Sequence, residues 1–395
     1  MNRYARDKRE SQPKPVERIE LNEDKLPQRL ILVAVLLVIG IAALAYGLSR
    51  ATSSDVGWTE IPAATGETNV AGEFILHYNL GQADLGPTAE RKAVSVVYSD
   101  AVATAWSVFA SPDASEEAGN LAFLCAHPNQ TVVIREALYT ALQTLEDAGS
   151  RLIYLAPVYE MYDSLFACAG DSEAVNFDPA RNADLAAFCA EAAAYAADSE
   201  SVNIELLGDC RAQLTLSAEY MDFLRENGVV SILGFGWARN AFIADYIAAE
   251  LIARGYENGW IESEDGFARY LSGAGAQSVA VLQNGAAAAY VSGSGWTSAV
   301  SLCSYPLRGA SVSRYYVYAD GTPVAGYVDP ADGVAKAALP ELLAVSKTDE
   351  CAVLALKTAA AFAADTFRLE ALDGVSAVWS EGGEIQTNDE ALVIQ

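Results

Sequence analysis

Carboxylates are the residues whose types and spacing most readily offer chemistry in this chain. Asp320 with Asp332, and Glu262 with Glu264, are near enough in sequence to serve as general acid and base. They carry little information, because 52 acidic residues make neighbouring carboxylates common on a solvated surface. His77 and His127 are the only histidines, and each reads as packing or surface. Cys125, Cys168, Cys189, Cys210, Cys303 and Cys351 show no Cys-x-x-Cys spacing, which argues against zinc and thioredoxin-like chemistry. Their even number allows three disulfides without fixing a pairing, although Cys351, in an Ala-rich run, reads as a small buried hydrophobe. No Gly-x-Ser-x-Gly nucleophile motif is present, and Ser292-Gly-Ser-Gly295 is not a phosphate-gripping loop.

The elements that would position reactive groups are clearest from Arg314 to Phe362. Asp320-Gly321, between aromatic and β-branched runs, is a hairpin signal, since those residue types accept the positive φ of a tight turn. Asp329-Pro330-Ala-Asp332-Gly333 then closes the second strand. From Thr348 onwards an Ala-rich helix is expected, with Asp349 and Glu350 at its positive end. Leu354 and Thr358 are four apart and share one face of it. Glu350 lies two turns before Thr358, roughly 12 Å along the axis.

This layout resembles the closing third of the FAD:protein FMN transferases, the ApbE-like family. There a strand pair runs into an Asp-Pro-x-Thr-Gly loop and, later, a helix carrying Asp-Ala-x-x-Thr. Leu233-Gly-Phe-Gly-Trp-Ala-Arg-Asn-Ala-Phe-Ile-Ala-Asp245 is similar to the family's Asp-Leu-Gly-Gly-Ile-Ala-Lys-Gly-Tyr-Ala-x-Asp helix entry. Asn120 to Leu145 resembles a further helical segment, so the likeness covers roughly residues 72 to 390. It implies a magnesium-dependent transfer of FMN from FAD to a threonine of a flavoprotein acceptor. By the same resemblance, Gly234, Gly236, Asn240 and Asp329 fall at flavin-nucleotide positions, and Thr358 and the Trp237 carbonyl at metal positions. Several motif residues are replaced: Leu354 stands for the metal-binding Asp, Gly234 for the leading Asp, Asn240 for the Lys and Trp237 for the second Gly. Leu152-Ile-Tyr-Leu-Ala-Pro157 stands where the family has Ala-Phe-Asp, and Glu262-Ser-Glu-Asp-Gly266 where it has Gly-Gly-Asp. The replaced acids support a second reading: a non-catalytic relative that binds a ligand or scaffolds an envelope complex.

Charge narrows the partners. With a net charge of −27, the chain repels phosphate backbones, which excludes nucleic-acid binding. Leu30 to Leu48 is free of charge, and at 1.5 Å per residue such a run spans the roughly 30 Å of bilayer hydrocarbon. Eight cations precede it, and none follows between Arg50 and Arg91, so the expected topology is single-pass with a cytoplasmic N-terminus and an extracytoplasmic domain. The run is longer than a signal-peptide core and has residues 1–29 before it, which favours a retained anchor.

The expected organisation is therefore a disordered cytoplasmic tail over 1–29, a transmembrane helix over 30–48, a tether over 49–70 and one ApbE-like domain over 71–390. Helices are expected over Glu90–Phe109, Ile134–Ala148, Asp184–Ala197 and Phe242–Ala253, from apolar residues three and four apart. Strands are expected over Glu73–Tyr78, Gln277–Leu282, Ser313–Tyr318, Val324–Val328 and Val375–Trp379, with a turn at Glu381-Gly-Gly-Glu384. Helices mixed with antiparallel strands, without a βαβ rhythm, make the class α+β.

Overall fold

The computed structural model describes residues 26–52, 54–64, 69–283, 286–307 and 314–395, with the side chains of 26–30, 45–52 and 69 left aside. The chain divides after Ser54 into two units. In the first, Leu26–Thr52 is one helix whose described side chains, 31–44, are all exposed. No helix among the described residues is long and apolar enough to cross a membrane. The span expected over Leu30–Leu48 thus remains a reading of the sequence, and the tail over 1–25 lies outside the described residues.

The second unit is built on an eight-stranded antiparallel sheet whose spatial order is its chain order. The strands are Gly57–Ile61, Phe74–Leu80, Gly259–Ser263, Phe267–Tyr270, Ser298–Cys303, Glu341–Ser346, Ser376–Glu381 and Glu384–Thr387. The first of them falls inside the segment read as a tether. Its Thr59 and Ile61 side chains alternate with the exposed Trp58 and Glu60, so it is a half-buried edge strand paired with Phe74–Leu80.

Both faces of the sheet are covered at its centre, and for that reason every residue of Ser298–Cys303 and Glu341–Ser346 is buried. Leu76, Tyr78, Ile261, Val300, Leu302, Leu342 and Ala344 face the helical layer. Tyr270, Ala299, Leu343, Val345 and Val378 face a small sheet built from Ala276–Gln283, Ala286–Ser294 and Val393–Ile394. In the helical layer, the central helix Arg239–Ala253 packs on the helix Pro87–Phe109, on the sheet and on the late helix Cys351–Phe362. Its contact residues Ala241, Ala244 and Ala248 are fully buried, and such small side chains let helices approach closely. Phe242 and Leu251 are core residues as expected, whereas Tyr246 is half-buried and Ile252 is exposed.

The α+β expectation holds, and so do most elements. Helices form over Glu136–Asp147 and Ala183–Ala197, and the expected hairpin pairs Tyr315–Val317 with Pro323–Ala325. Gly382 and Gly383, both at positive φ, make the two-residue turn of the last hairpin in the sheet. All six cysteines are free.

Candidate functional site

The late helix begins where Asp245, from the central helix, receives its first amides. Asp245 Oδ1 accepts from the Cys351 amide at 2.8 Å and Oδ2 from the Ala352 amide at 2.7 Å, and Arg269 Nε donates to Oδ1 at 3.0 Å. Burial pushes this carboxyl up to about 7 against the pull of Arg269 and the amides. Asp245, which matches an acid of the family's helix-entry motif, is here a helix cap. Leu354 and Thr358 follow on the buried face, each fully inaccessible. The Thr358 hydroxyl donates to the Leu354 carbonyl at 2.6 Å, so it is turned on its own helix.

The turn Leu233–Ala238 leads into the central helix. The Gly234 amide donates to the Ile153 carbonyl at 2.9 Å. Gly236 has a φ of 51°, and a Cβ there would stand 2.5 Å from the ring of Tyr159, so the ring fills the space that a side chain would take. Trp237 is buried against Tyr327, 5.6 Å between ring centroids, and Tyr327 against Phe362 at 5.2 Å.

Asn240 enters a closed network of charge. Its Nδ2 donates to Glu73 Oε2 at 2.8 Å and to Asp265 Oδ2 at 3.1 Å. Arg239 Nη2 bridges both Glu73 oxygens, at 2.8 and 2.6 Å. Arg314 reaches Glu73 Oε2 at 3.1 Å through Nη2 and Asp265 through Nη1. Ser263 Oγ donates to the second Asp265 oxygen at 2.6 Å. Burial raises the Glu73 carboxyl, but Arg239, Arg314 and Asn240 outweigh it and the net shift is downward. Burial and the nearby Arg314 lower Arg239, while Asp265 and Glu73 overcome burial to raise Arg314. Arg239 is thus an interior ion-pair partner, and Glu73, Asp265 and Arg314 are polar residues that a reading of local motifs did not connect.

Asp329 is buried and spent on its own loop. Its Oδ1 accepts from the Ala331 amide at 3.0 Å and its Oδ2 from Lys336 Nζ at 2.9 Å. Lys336 also pairs with Asp332 at 2.8 Å and Asp365 at 3.1 Å. Gly333, at φ 71°, lets this loop approach the Cys189 carbonyl, which a Cβ would meet at 2.5 Å.

Two cavities flank Trp237. The larger, about 930 Å³, is lined by Leu152, Leu155, Trp237, Asp329 and, from the late helix, Val353 and Leu356. The smaller, about 370 Å³, is bordered by Gly234, Gly236, Trp237, Asp163, Arg239 and Arg314. Four of the six expected site residues therefore meet at cavity walls, while Asn240 and Thr358 line neither cavity. His77 stacks on Trp260 at 4.5 Å, and His127 Nδ1 lies 2.9 Å from the Phe123 carbonyl oxygen, so both histidines are structural. Asp320 is engaged by Arg181 at 3.1 Å and by the Thr322 amide.

No protein-family model and no curated protein matches the sequence. Solved structures do. The ApbE protein of Thermotoga maritima superposes with a TM-score of 0.55 at 14% identity, over 84% of this chain and 97% of that one. The fold is ApbE-like. The flavin transferase ApbE of Vibrio cholerae superposes with a TM-score of 0.53 at 9% identity, over 85% of this chain and 98% of that one.

The residues on this ApbE-like fold do not fit a divalent cation. Such an ion needs several hard oxygen ligands, with carboxylates supplying charge. Here Leu354 offers hydrocarbon, Thr358 is fully buried on the same helix face and Asp329 is neutralised by Lys336. Among the described residues no group of three or more acids, histidines or cysteines is placed to hold a metal. Asn240, expected from the resemblance at a nucleotide position, is only 1% exposed, and its amide group is shared among Glu73, Asp265 and Arg239.

Proposed function

We propose that this chain is a non-catalytic ApbE-like binding domain, held at a membrane by its N-terminal helix, which has kept the cleft of the fold and lost FMN transfer. One observation carries the reading: at the position where the resembled family has a metal-binding acid stands Leu354, fully buried, with the Thr358 hydroxyl turned onto its carbonyl. A cation seat cannot be rebuilt there without exposing or charging a core position. What remains is a cavity of about 930 Å³, within the range of small-molecule sites, walled by Leu152, Leu155, Trp237, Val353 and Leu356. Asp147, Arg151, Asp329, Lys357 and Arg368 border the same cavity, so it suits a ligand with an apolar body and polar groups.

The decisive experiment titrates the purified full chain with FAD, with and without magnesium, and then offers a threonine-containing acceptor peptide. No magnesium-dependent FAD affinity and no fluorescent FMN on the peptide is the expected result. Covalent FMN on the acceptor would overturn the reading and restore the alternative, an extracytoplasmic FAD:protein FMN transferase, which the ApbE-like fold favours. For the anchor, the uncharged run Leu30–Leu48 is the support. Cells expressing the chain should retain it in membranes after alkaline extraction, and release into the supernatant would refute a spanning helix.

A further inference from the structure

A third cavity lies on the opposite face of the main sheet, independent of the cleft and of its reading. It measures about 620 Å³, and Trp260, Ala268, Tyr270, Ala299 and Ser301 of the main sheet floor it. Its wall is the strand Ala276–Gln283, which contributes the successive residues Ala276 to Ala280. Side chains alternate between the faces of a strand, so consecutive lining residues mean that the backbone edge itself borders the cavity.

Among the described residues this strand pairs only with Ala286–Ser294, and its residues make no other backbone–backbone hydrogen bond. Its sequence, Ala-Gln-Ser-Val-Ala-Val-Leu-Gln, lacks the charge or proline that commonly protects an edge from strand pairing. A bulge between Val281 and Leu282 ends the regular edge. About 20 Å of strand, over Ala276–Val281, is without a backbone partner on that side among the described residues.

Charge decides the occupant. Glu262, 3.6 Å from His77, and Glu264 border the same cavity and make that border acidic. A second copy of the chain, also at −27, would be repelled. We propose that this edge receives an extended, Lys- or Arg-bearing segment of a partner protein as an added strand, with main-chain hydrogen bonds to Ala276–Val281 and its cations over the acidic border.

The test uses the detergent-solubilised full chain and a labelled Lys-Val-Lys-Val-Lys-Val peptide, read by fluorescence anisotropy. Expected is binding that weakens with salt, falls at least tenfold for the fully N-methylated peptide and is undetectable for a Glu-Val analogue. In the protein, Ala280→Lys should weaken binding at least threefold, and the double change Glu262→Gln with Glu264→Gln should flatten the salt dependence. Equal affinity for the N-methylated or the Glu-Val peptide overturns the proposal without depending on the folding of any variant. A dimer of the chain that Ala280→Lys dissolves would also overturn it, by making a second copy the occupant.

Discussion

The head of the central helix and the middle of the late helix lie side by side in one layer, yet they treat polar atoms in opposite ways. At the first, Glu73, Arg239, Asn240, Asp265 and Arg314 tie distant parts of the chain into one charged circuit. At the second, Thr358 is folded back on Leu354. Charge fastens segments together at the first, and the second is neutral. A polar residue beside a cleft is therefore evidence of binding only when it has an atom to offer.

The strongest way to break this comparison is to open the circuit. Arg314→Met leaves Glu73 and Asp265 short of a partner, and should lower unfolding free energy by about 4 kcal/mol in a urea titration. An unchanged midpoint would mean that the network is not structural. Next comes Leu354→Asp, which puts a carboxyl into a fully buried site and should cost about 3 kcal/mol. Magnesium should not restore its melting temperature; a magnesium-dependent rise would show that a cation seat survives. Gly236→Ala must hold a positive φ and push back the Tyr159 ring, for a loss of about 2 kcal/mol by the same titration. Native-like stability there would show that the ring yields and that the smaller cavity can widen.

The remaining effect is a slope with pH. Glu341 is fully buried, and burial pushes its carboxyl up to about 8, although the Leu282 amide and Tyr305 pull the other way. In the unfolded chain a glutamate titrates at about 4.3. Between these values the folded form keeps a proton that the unfolded form has released. The stabilisation is therefore complete below about 4.3 and is lost as pH rises towards 8. Glu341→Gln should flatten this decline, as read from denaturation midpoints at pH 5, 6, 7 and 8. A variant as pH-sensitive as the parent would assign the slope to other groups.

The periodic parts of the molecule were legible in the sequence. Apolar spacing placed the helices, and Asp320-Gly321 and Gly382-Gly383 marked turns by the φ that they accept. Gly57–Ile61 was hidden because an edge strand needs only half a pattern and sits in a run of small polar residues. The charged circuit was less accessible still, since Arg314 and Glu73 stand 241 residues apart and no local motif links them. Asp265 lies in Glu262-Ser-Glu-Asp-Gly266, the stretch set beside the resembled family's Gly-Gly-Asp, and nothing in that stretch singled it out. The substitutions Leu354, Gly234 and Trp237 could be read directly, but whether another carboxylate replaced the missing one depended on which side chains the fold brings to Thr358.

The sheet runs in chain order with one great interruption, residues 81–258, between Phe74–Leu80 and Gly259–Ser263. During synthesis the first two strands emerge early, then wait for their next neighbour until residues 81–258 have left the ribosome. That long closure makes the register Leu76 to Ile261 a late and slow event in folding. Nascent chains stalled before residue 259 should accordingly be the species most prone to self-association and most in need of a chaperone.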